Sequence, residues 1–133
     1  MAIHLVTGGC GFVGRNMVQR LYAQGAKVLF IDDLSVGTHP DTWIGHPLNF
    51  EHKDLKFYGK DERLLFLKAD LRDVLRELNK DPQWFKKQYG LNVELFDDIF
   101  HFAAIVGGRS KIDGDPMLVA QDLSIDAEMF LYV

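Results

Sequence analysis

The chain opens on a short apolar run, Ile3 to Val6, that ends in Thr7-Gly8-Gly9. An unbroken apolar run closed by glycines predicts a buried strand and a tight turn. From Phe12 to Ala23 the period changes, and Phe12, Val13, Met17, Val18, Leu21 and Tyr22 recur at helical spacing. This predicts a helix that starts near Gly11 and stops at Gly25. Lys27-Val28-Leu29-Phe30-Ile31 is a second strand-like run, closed by Asp32-Asp33. Strand, helix and strand within about thirty residues make a βαβ unit with a right-handed crossover. Leu34 to Asp61 is rich in Gly, Pro, His and Asp and reads as a long loop with room for one short helix. A loop of that length is either functional or hides regular structure.

Further on, Leu64 to Lys68 is a third predicted strand, and Leu71 to Leu78 a helix with Leu71, Val74, Leu75 and Leu78 on one face. Asp81-Pro82 opens another short helix through Tyr89, with Pro82 in its first turn. Ile99 to Ala104 is a fourth strand, Val106 to Asp115 a glycine-rich loop, and Pro116 the start of a helix carrying Leu118, Val119, Leu123, Ala127 and Phe130.

Composition narrows the class. The 133 residues suit a single domain spanning 1–133, and 47% hydrophobic against 26% charged residues excludes disorder as the main state. Asp and Glu (19) outnumber Lys and Arg (15), so a nucleic-acid partner is not expected. No run of about eighteen apolar residues exists to span a membrane. Met1-Ala2-Ile3-His4 carries no charged lead of a signal peptide. Cys10 is the only cysteine, which precludes an internal disulfide and suits a reducing cytoplasm.

The sharpest chemical signal is Thr7-Gly8-Gly9-Cys10-Gly11-Phe12-Val13-Gly14, which holds G-x-G-x-x-G at Gly9, Gly11 and Gly14 and G-x-x-G-x-x-G from Gly8. Its place between a predicted strand and a predicted helix gives it meaning. Glycines let a pyrophosphate approach the backbone, and the helix N-terminus offers it free N–H groups and a partial positive charge. Asp32 follows Gly14 by eighteen residues, at the end of the next strand. A carboxylate there accepts from both adenosine ribose hydroxyls and repels a 2′-phosphate, which favours NAD over NADP. The alternative is that Asp32 and Asp33 only shape a turn or cap a helix.

TGGCGFVG, the strand end IDDLSVG, the segment KADLRD and the strand HFAA, in that order, resemble the extended short-chain dehydrogenase/reductase family, in its NAD-dependent nucleotide-sugar epimerase and dehydratase branch. The resemblance implies an α/β fold, a Rossmann-like doubly wound parallel sheet that is incomplete here, with strand order 3-2-1-4. It implies that Gly8, Gly11 and Gly14 form the pyrophosphate turn, with Phe12 and Val13 offering amides to the phosphates. Asp32 would hold the ribose, and Asp33, Leu34 and Ser35 would flank the adenosine. Asp70 would accept from the adenine amino group, with the Leu71 backbone against the ring. Ala103 and Ala104 would line the cleft, followed by a loop facing nicotinamide and substrate. The resemblance further implies NAD as the cofactor and, in the complete enzyme, a nucleotide-sugar substrate that is transiently oxidised.

The sequence also departs from the family. Cys10 replaces a small residue, either as a packed side chain or as a thiol acidified by the helix N-terminus. Leu123 stands where the family has an Asn. The family's Tyr-x-x-x-Lys pair is absent: none of Tyr22, Tyr58, Tyr89 and Tyr132 has a lysine four positions on, so no catalytic residue is assigned. The resemblance therefore covers the N-terminal portion, with the catalytic and substrate-binding region beyond it. The fourth strand would be an open edge, covered by further chain or by a homo-oligomeric partner. A stand-alone NAD-binding or oligomerising module without catalysis is the competing reading.

Other residues have bland readings. His39, His46 and His52 read as solvated loop residues rather than zinc ligands, and His4 and His101 as core or edge histidines. Arg109 and Lys111 suit a diphosphate or a solvated loop equally. Trp43, Trp84 and Phe85 read as packing rather than as an interaction surface.

Overall fold

The computed structural model describes residues 2–91 and 96–103. Ala104, the Val106 to Asp115 loop with Arg109 and Lys111, and the helix expected from Pro116 lie outside the described residues.

The chain runs β1 (Ile3–Thr7), α1 (Phe12–Ala23), β2 (Lys27–Asp32), a single 3₁₀ turn (Pro40–Thr42), β3 (Leu48–His52), β4 (Leu55–Tyr58), β5 (Leu64–Lys68), α2 (Leu71–Lys80), α3 (Trp84–Tyr89) and β6 (Asp98–His101). Among the described residues the strands form one six-stranded sheet, in the order β3-β4-β5-β2-β1-β6. Its inner part matches the expected order 3-2-1-4: β5, β2, β1 and β6 are all parallel. The outer part does not match a purely parallel sheet, because β3 and β4 form an antiparallel hairpin that continues it past β5.

This hairpin corrects the long loop expected from Leu34 to Asp61. The turn between its strands is Lys53-Asp54, with Lys53 at φ +48, and it lacks the Asn-Gly or Asp-Gly signature that marks a tight hairpin in a sequence. The crossover from β2 to its parallel neighbour β5 consequently contains no α-helix. The fourth strand ends at His101 rather than Ala104, so Phe102 and Ala103 already belong to the connection beyond it. Pro82 precedes α3, and the Asp81 carboxylate accepts the Gln83 amide at 3.0 Å ahead of the helix.

Strand alternation divides the core into two layers. Val6, Val28, Phe30, Tyr58, Leu64 and Phe66 face α1, whose Val18 and Leu21 pack on them. Leu5, Leu29, Ile31, Leu55, Leu65 and Leu67 face the other way, toward α2 and α3. The central strands are apolar on both faces, as a covered parallel sheet requires. Arg63 pins the α1 end to β5: it donates to the carbonyls of Tyr22 (3.1 Å) and Ala26 (3.0 Å) and lies over the Tyr22 ring. Trp84 and Phe85 serve packing, with Phe85 fully buried among Trp84, Tyr89 and Phe96. Trp43 tilts against Phe30 and donates its indole N–H to the Thr38 carbonyl at 2.8 Å.

Truncating Phe85 removes the aromatic body that ties α3 to the sheet. Phe85→Ala is expected to lower the unfolding free energy by about 3–5 kcal/mol, measured by urea denaturation.

Candidate functional site

The C-terminal ends of β1, β2, β5 and β6 surround one cleft, at the point where the strand order reverses around β1. Gly8 and Gly11 line it from the first turn, Ile31 to Asp33 from the end of β2, Ser35 to Gly37 from the following loop, Ala69 to Leu71 from the β5 side, and Phe102 and Ala103 from beyond β6.

The glycines do different work. Gly8 has φ +66, and a Cβ there would meet the Phe102 carbonyl carbon at 2.7 Å. A Cβ at Gly14 would lie 2.0 Å from the Gly8 oxygen, so this glycine lets α1 sit directly on the turn. At Gly11 the nearest atom to a Cβ would be the Gly8 oxygen at 3.5 Å, an ordinary contact, and φ is −74. The protein itself does not require glycine at position 11; the space it leaves opens into the cleft.

The amides of the turn are partly used. Those of Gly8 and Gly9 donate to the Ile31 carbonyl, that of Gly11 to the Gly8 carbonyl, and that of Cys10 to Asp32 Oδ2 at 3.0 Å. Phe12, Val13 and Gly14 follow as the first residues of α1, where amides have no intrahelical acceptor. Helix α1 carries no side-chain cap and no acid in its first turn. Phe12 and Val13 are exposed, and Gly14 is buried under the turn.

Asp32 is clasped. Its Oδ1 accepts the Leu34 amide at 2.8 Å, its Oδ2 accepts the Cys10 amide, and each oxygen keeps acceptor capacity. Burial raises its pKa, opposed by these two amide hydrogen bonds, with Asp33 adding a smaller upward push. Leu34 adopts φ +64, a left-handed conformation that leucine seldom takes; its side chain turns into the core on the α1 side instead of lining the cleft. The Asp33 carboxylate accepts the Ser35 amide at 2.9 Å. The loop then returns to the glycine turn. The Thr38 amide donates to the Cys10 carbonyl at 3.0 Å, and a Cβ at Gly37 would lie 2.9 Å from Asp32 Oδ2.

On the opposite wall Asp70 caps α2. It accepts the Arg72 amide at 2.9 Å and binds the guanidinium through Nε (3.1 Å) and an Nη (2.7 Å). Arg72 holds its carboxyl below the usual carboxylate range. The two helix ends around the cleft thus differ: α2 is capped from within, and α1 is left open.

Thr7 and Gly37 stand inside motifs of the sequence but were given no role there. The buried Thr7 hydroxyl accepts the amides of Phe102 (3.0 Å) and Ala103 (3.1 Å) and meets His101 Nδ1 at 2.6 Å. It ties the chain leaving β6 to the chain leaving β1. A threonine inside a strand carries no sequence signal of such a role; Gly37 closed the segment IDDLSVG without a role of its own. Cys10 is buried, and burial followed by the Asp32 charge pushes its thiol pKa up, which removes the acidified-thiol reading. His39 accepts the Asp41 amide, His46 lies edge-on to Tyr22 and His52 stacks on Phe50; among the described residues no His, Cys, Asp and Glu cluster is arranged for a metal. His4 is buried edge-on to Phe100.

Parallel strands, a glycine turn at their switch point and an acid at the end of β2 define an α/β fold of the Rossmann type. Within that class, the chain belongs to the NAD-dependent epimerase/dehydratase family, whose model matches residues 4–77. The expected cofactor agrees with the family's description. Over 112 residues the chain is 30% identical to a UDP-glucose 4-epimerase of Mycolicibacterium smegmatis, covering 84% of this chain and 28% of that protein. It is 31% identical over 101 residues to UDP-arabinose 4-epimerase 1 of Arabidopsis thaliana, covering 76% of this chain and 20% of that one.

Among solved structures, the UDP-Glc/GlcNAc 4-epimerase of Campylobacter jejuni superposes with a TM-score of 0.66 at 17% identity, over 99% of this chain and 33% of that one. A UDP-glucose 4-epimerase of Stenotrophomonas maltophila, solved with NAD and formylated UDP-arabinopyranose, gives 0.59 at 18% identity, over 99% of this chain and 34% of that one. At these identities the structural likeness is one of fold. The chain spans no more than about a third of each of these proteins.

Two outcomes test the site's construction. Thr7→Val keeps the volume but takes the side-chain acceptor from the Ala103 amide, while the Phe102 amide keeps the Thr7 carbonyl at 3.0 Å, and is expected to cost about 1–3 kcal/mol in urea denaturation. Asp70 has a lowered folded pKa, so the stability it contributes is present above its unfolded pKa and lost as pH falls through the folded one. Arg72→Ala should raise the Asp70 pKa, seen by carboxyl-carbon NMR titration, and shift that loss to higher pH.

Proposed function

We propose that this chain is the NAD-binding portion of a nucleotide-sugar epimerase or dehydratase. The observation that carries the reading is the pairing, across one cleft, of an uncapped α1 N-terminus with the clasped carboxylate of Asp32. The first suits an anionic diphosphate, and the second suits neutral ribose hydroxyls. The vacant space at Gly11 gives the phosphates access to the backbone.

In this reading Gly8, Gly11 and the amides of Phe12 and Val13 hold the pyrophosphate, Gly14 seats the helix, and Asp32 accepts from the adenosine ribose. Asp33 and Ser35 border the adenosine, with Leu34 holding the loop from the core side. Asp70 and Leu71 wall the adenine, and Asp70 reaches the amino group with whatever acceptor capacity Arg72 leaves. Ala103 borders the inner end of the cleft. NAD so held supplies a hydride acceptor for a sugar carbon. The 133 residues contain no Tyr-x-x-x-Lys, so we assign the proton-transferring groups to no residue of this sequence and expect binding without turnover. Nucleotide sugars as substrates follow from family membership and the relatives' activities. We place the protein in the cytoplasm, which suits its lone cysteine. Among the described residues no helix is long and apolar enough to cross a membrane.

Thermal denaturation with added nucleotide tests the assignment, because a ligand of the native state raises the melting temperature. NAD is expected to raise it, and NADP to do so far less. Asp32→Ala should weaken NAD by about tenfold to a hundredfold in calorimetry, the loss of charge-assisted hydrogen bonds worth about 1.5–3 kcal/mol. Gly11→Ala should change the stability of the free chain by less than about 1 kcal/mol while suppressing the NAD-induced rise. Equal responses to NAD and NADP, or undiminished NAD affinity in Asp32→Ala, would remove the ribose assignment.

A further inference from the structure

A second cleft, bordered by His39, Lys56 and Lys68, shares Asp33, Ala69 and Asp70 with the first and belongs to the same region. The outer edge of the β3-β4 hairpin stands apart from both. All five residues of β3 are exposed, with Leu48 and Phe50 keeping 45% and 51% of their surface accessible. Among the described residues β3 is paired on one side only, with β4. Edge strands are ordinarily blunted by proline, lysine, a bulge or a cover, since their free N–H and C=O groups template further pairing. Leu48-Asn49-Phe50-Glu51-His52 has no proline and no lysine; its register irregularity between Leu48 and Phe50 bends the strand without covering it.

We propose that β3 pairs antiparallel with β3 of a second copy of this chain, centred on Phe50, so that the sheet runs from one subunit into the other. The sequence of the edge is self-complementary in that register. Phe50 faces Phe50, Asn49 faces Glu51 and Leu48 faces His52. Beyond the strand, Pro47 faces Lys53 and His46 faces Asp54, so no two like-charged acids or lysines meet. Centring the pair on Glu51 instead sets two carboxylates against each other. The Asn49 amide donates to Glu62 at 3.3 Å and has a second N–H for the partner's Glu51. Phe50 also has aromatic neighbours, with Phe57 at 5.4 Å and His52 stacked at 6.4 Å. Directly opposed side chains share a face, so a Phe50 pair joins the aromatic rows of the two subunits. A two-fold contact of this kind uses one patch twice and closes at a dimer.

Site-directed cross-linking tests the register. Directly opposed residues have Cα atoms about 4.5–5.5 Å apart, inside the disulfide range of about 4.4–6.8 Å. Phe50→Cys should therefore give a disulfide-linked dimer on mild oxidation. Leu48→Cys should not, because the two Leu48 positions lie about 14 Å apart, four residues at about 3.4 Å each. The native Cys10 is buried and does not compete. Light scattering on the unmodified chain at high micromolar concentration should give twice the mass of one chain. Phe50→Lys, or Asn49→Pro if that variant does not fold, should return it to the single-chain mass. A single-chain mass for the unmodified protein, equal cross-linking at positions 48 and 50, or a dimer that survives the edge variants would overturn the proposal.

Discussion

Helix α1 reaches the end of β1 only because Gly14 has no side chain: a Cβ there would stand 2.0 Å from the Gly8 oxygen. That contact sets the height of the helix above the sheet and brings its first turn to the mouth of the cleft. Gly8 makes the same demand in the other direction, with its φ of +66 and the Phe102 backbone pressed against it. The turn is thus held between α1 and the strand end of β6, and Thr7 binds the two chain segments from below. A site assembled from three separate parts of the chain becomes rigid through backbone contacts that leave no room for adjustment.

The electrostatics follow from what is satisfied internally and what is left open. The α2 N-terminus is consumed by Asp70, which is itself paired with Arg72. The α1 N-terminus has no such partner, and the nearby Asp32 carboxylate spends one acceptor site on the Cys10 amide and another on Leu34. These bonds hold the carboxylate in place and lower the cost of keeping it charged under partial burial, which still raises its pKa. The cleft therefore favours an anion at one end and neutral hydroxyls at the other.

The strand–turn–helix–strand unit from Ile3 to Asp32 was legible because each signal agreed with the next: apolar run, glycines, helical period, second run, acid. The order 3-2-1-4 of the parallel strands came from the family resemblance that this unit anchors. The hairpin was hidden in a segment with alternating but half-polar strands and a turn closed by Lys53, a residue that sequence rules do not place at positive φ. The clasp around Asp32 was half visible. The acid stood out, but Gly37 and the left-handed Leu34 gain meaning only when the loop folds back onto Cys10. Thr7 opened the glycine motif, but its tying role was hidden for the reason that makes it effective: a small hydroxyl at the end of an apolar strand reads as strand.

The chain spans no more than about a third of its relatives, and that third holds the glycine turn and Asp32. The most direct measurement is backbone amide NMR of the isotope-labelled chain titrated with NAD. The largest shifts are expected on Gly8, Gly11, Phe12 and Val13, with a second group from Leu34 to Gly37. Shifts confined to other surfaces, or none at saturating nucleotide, would contradict NAD binding in this cleft.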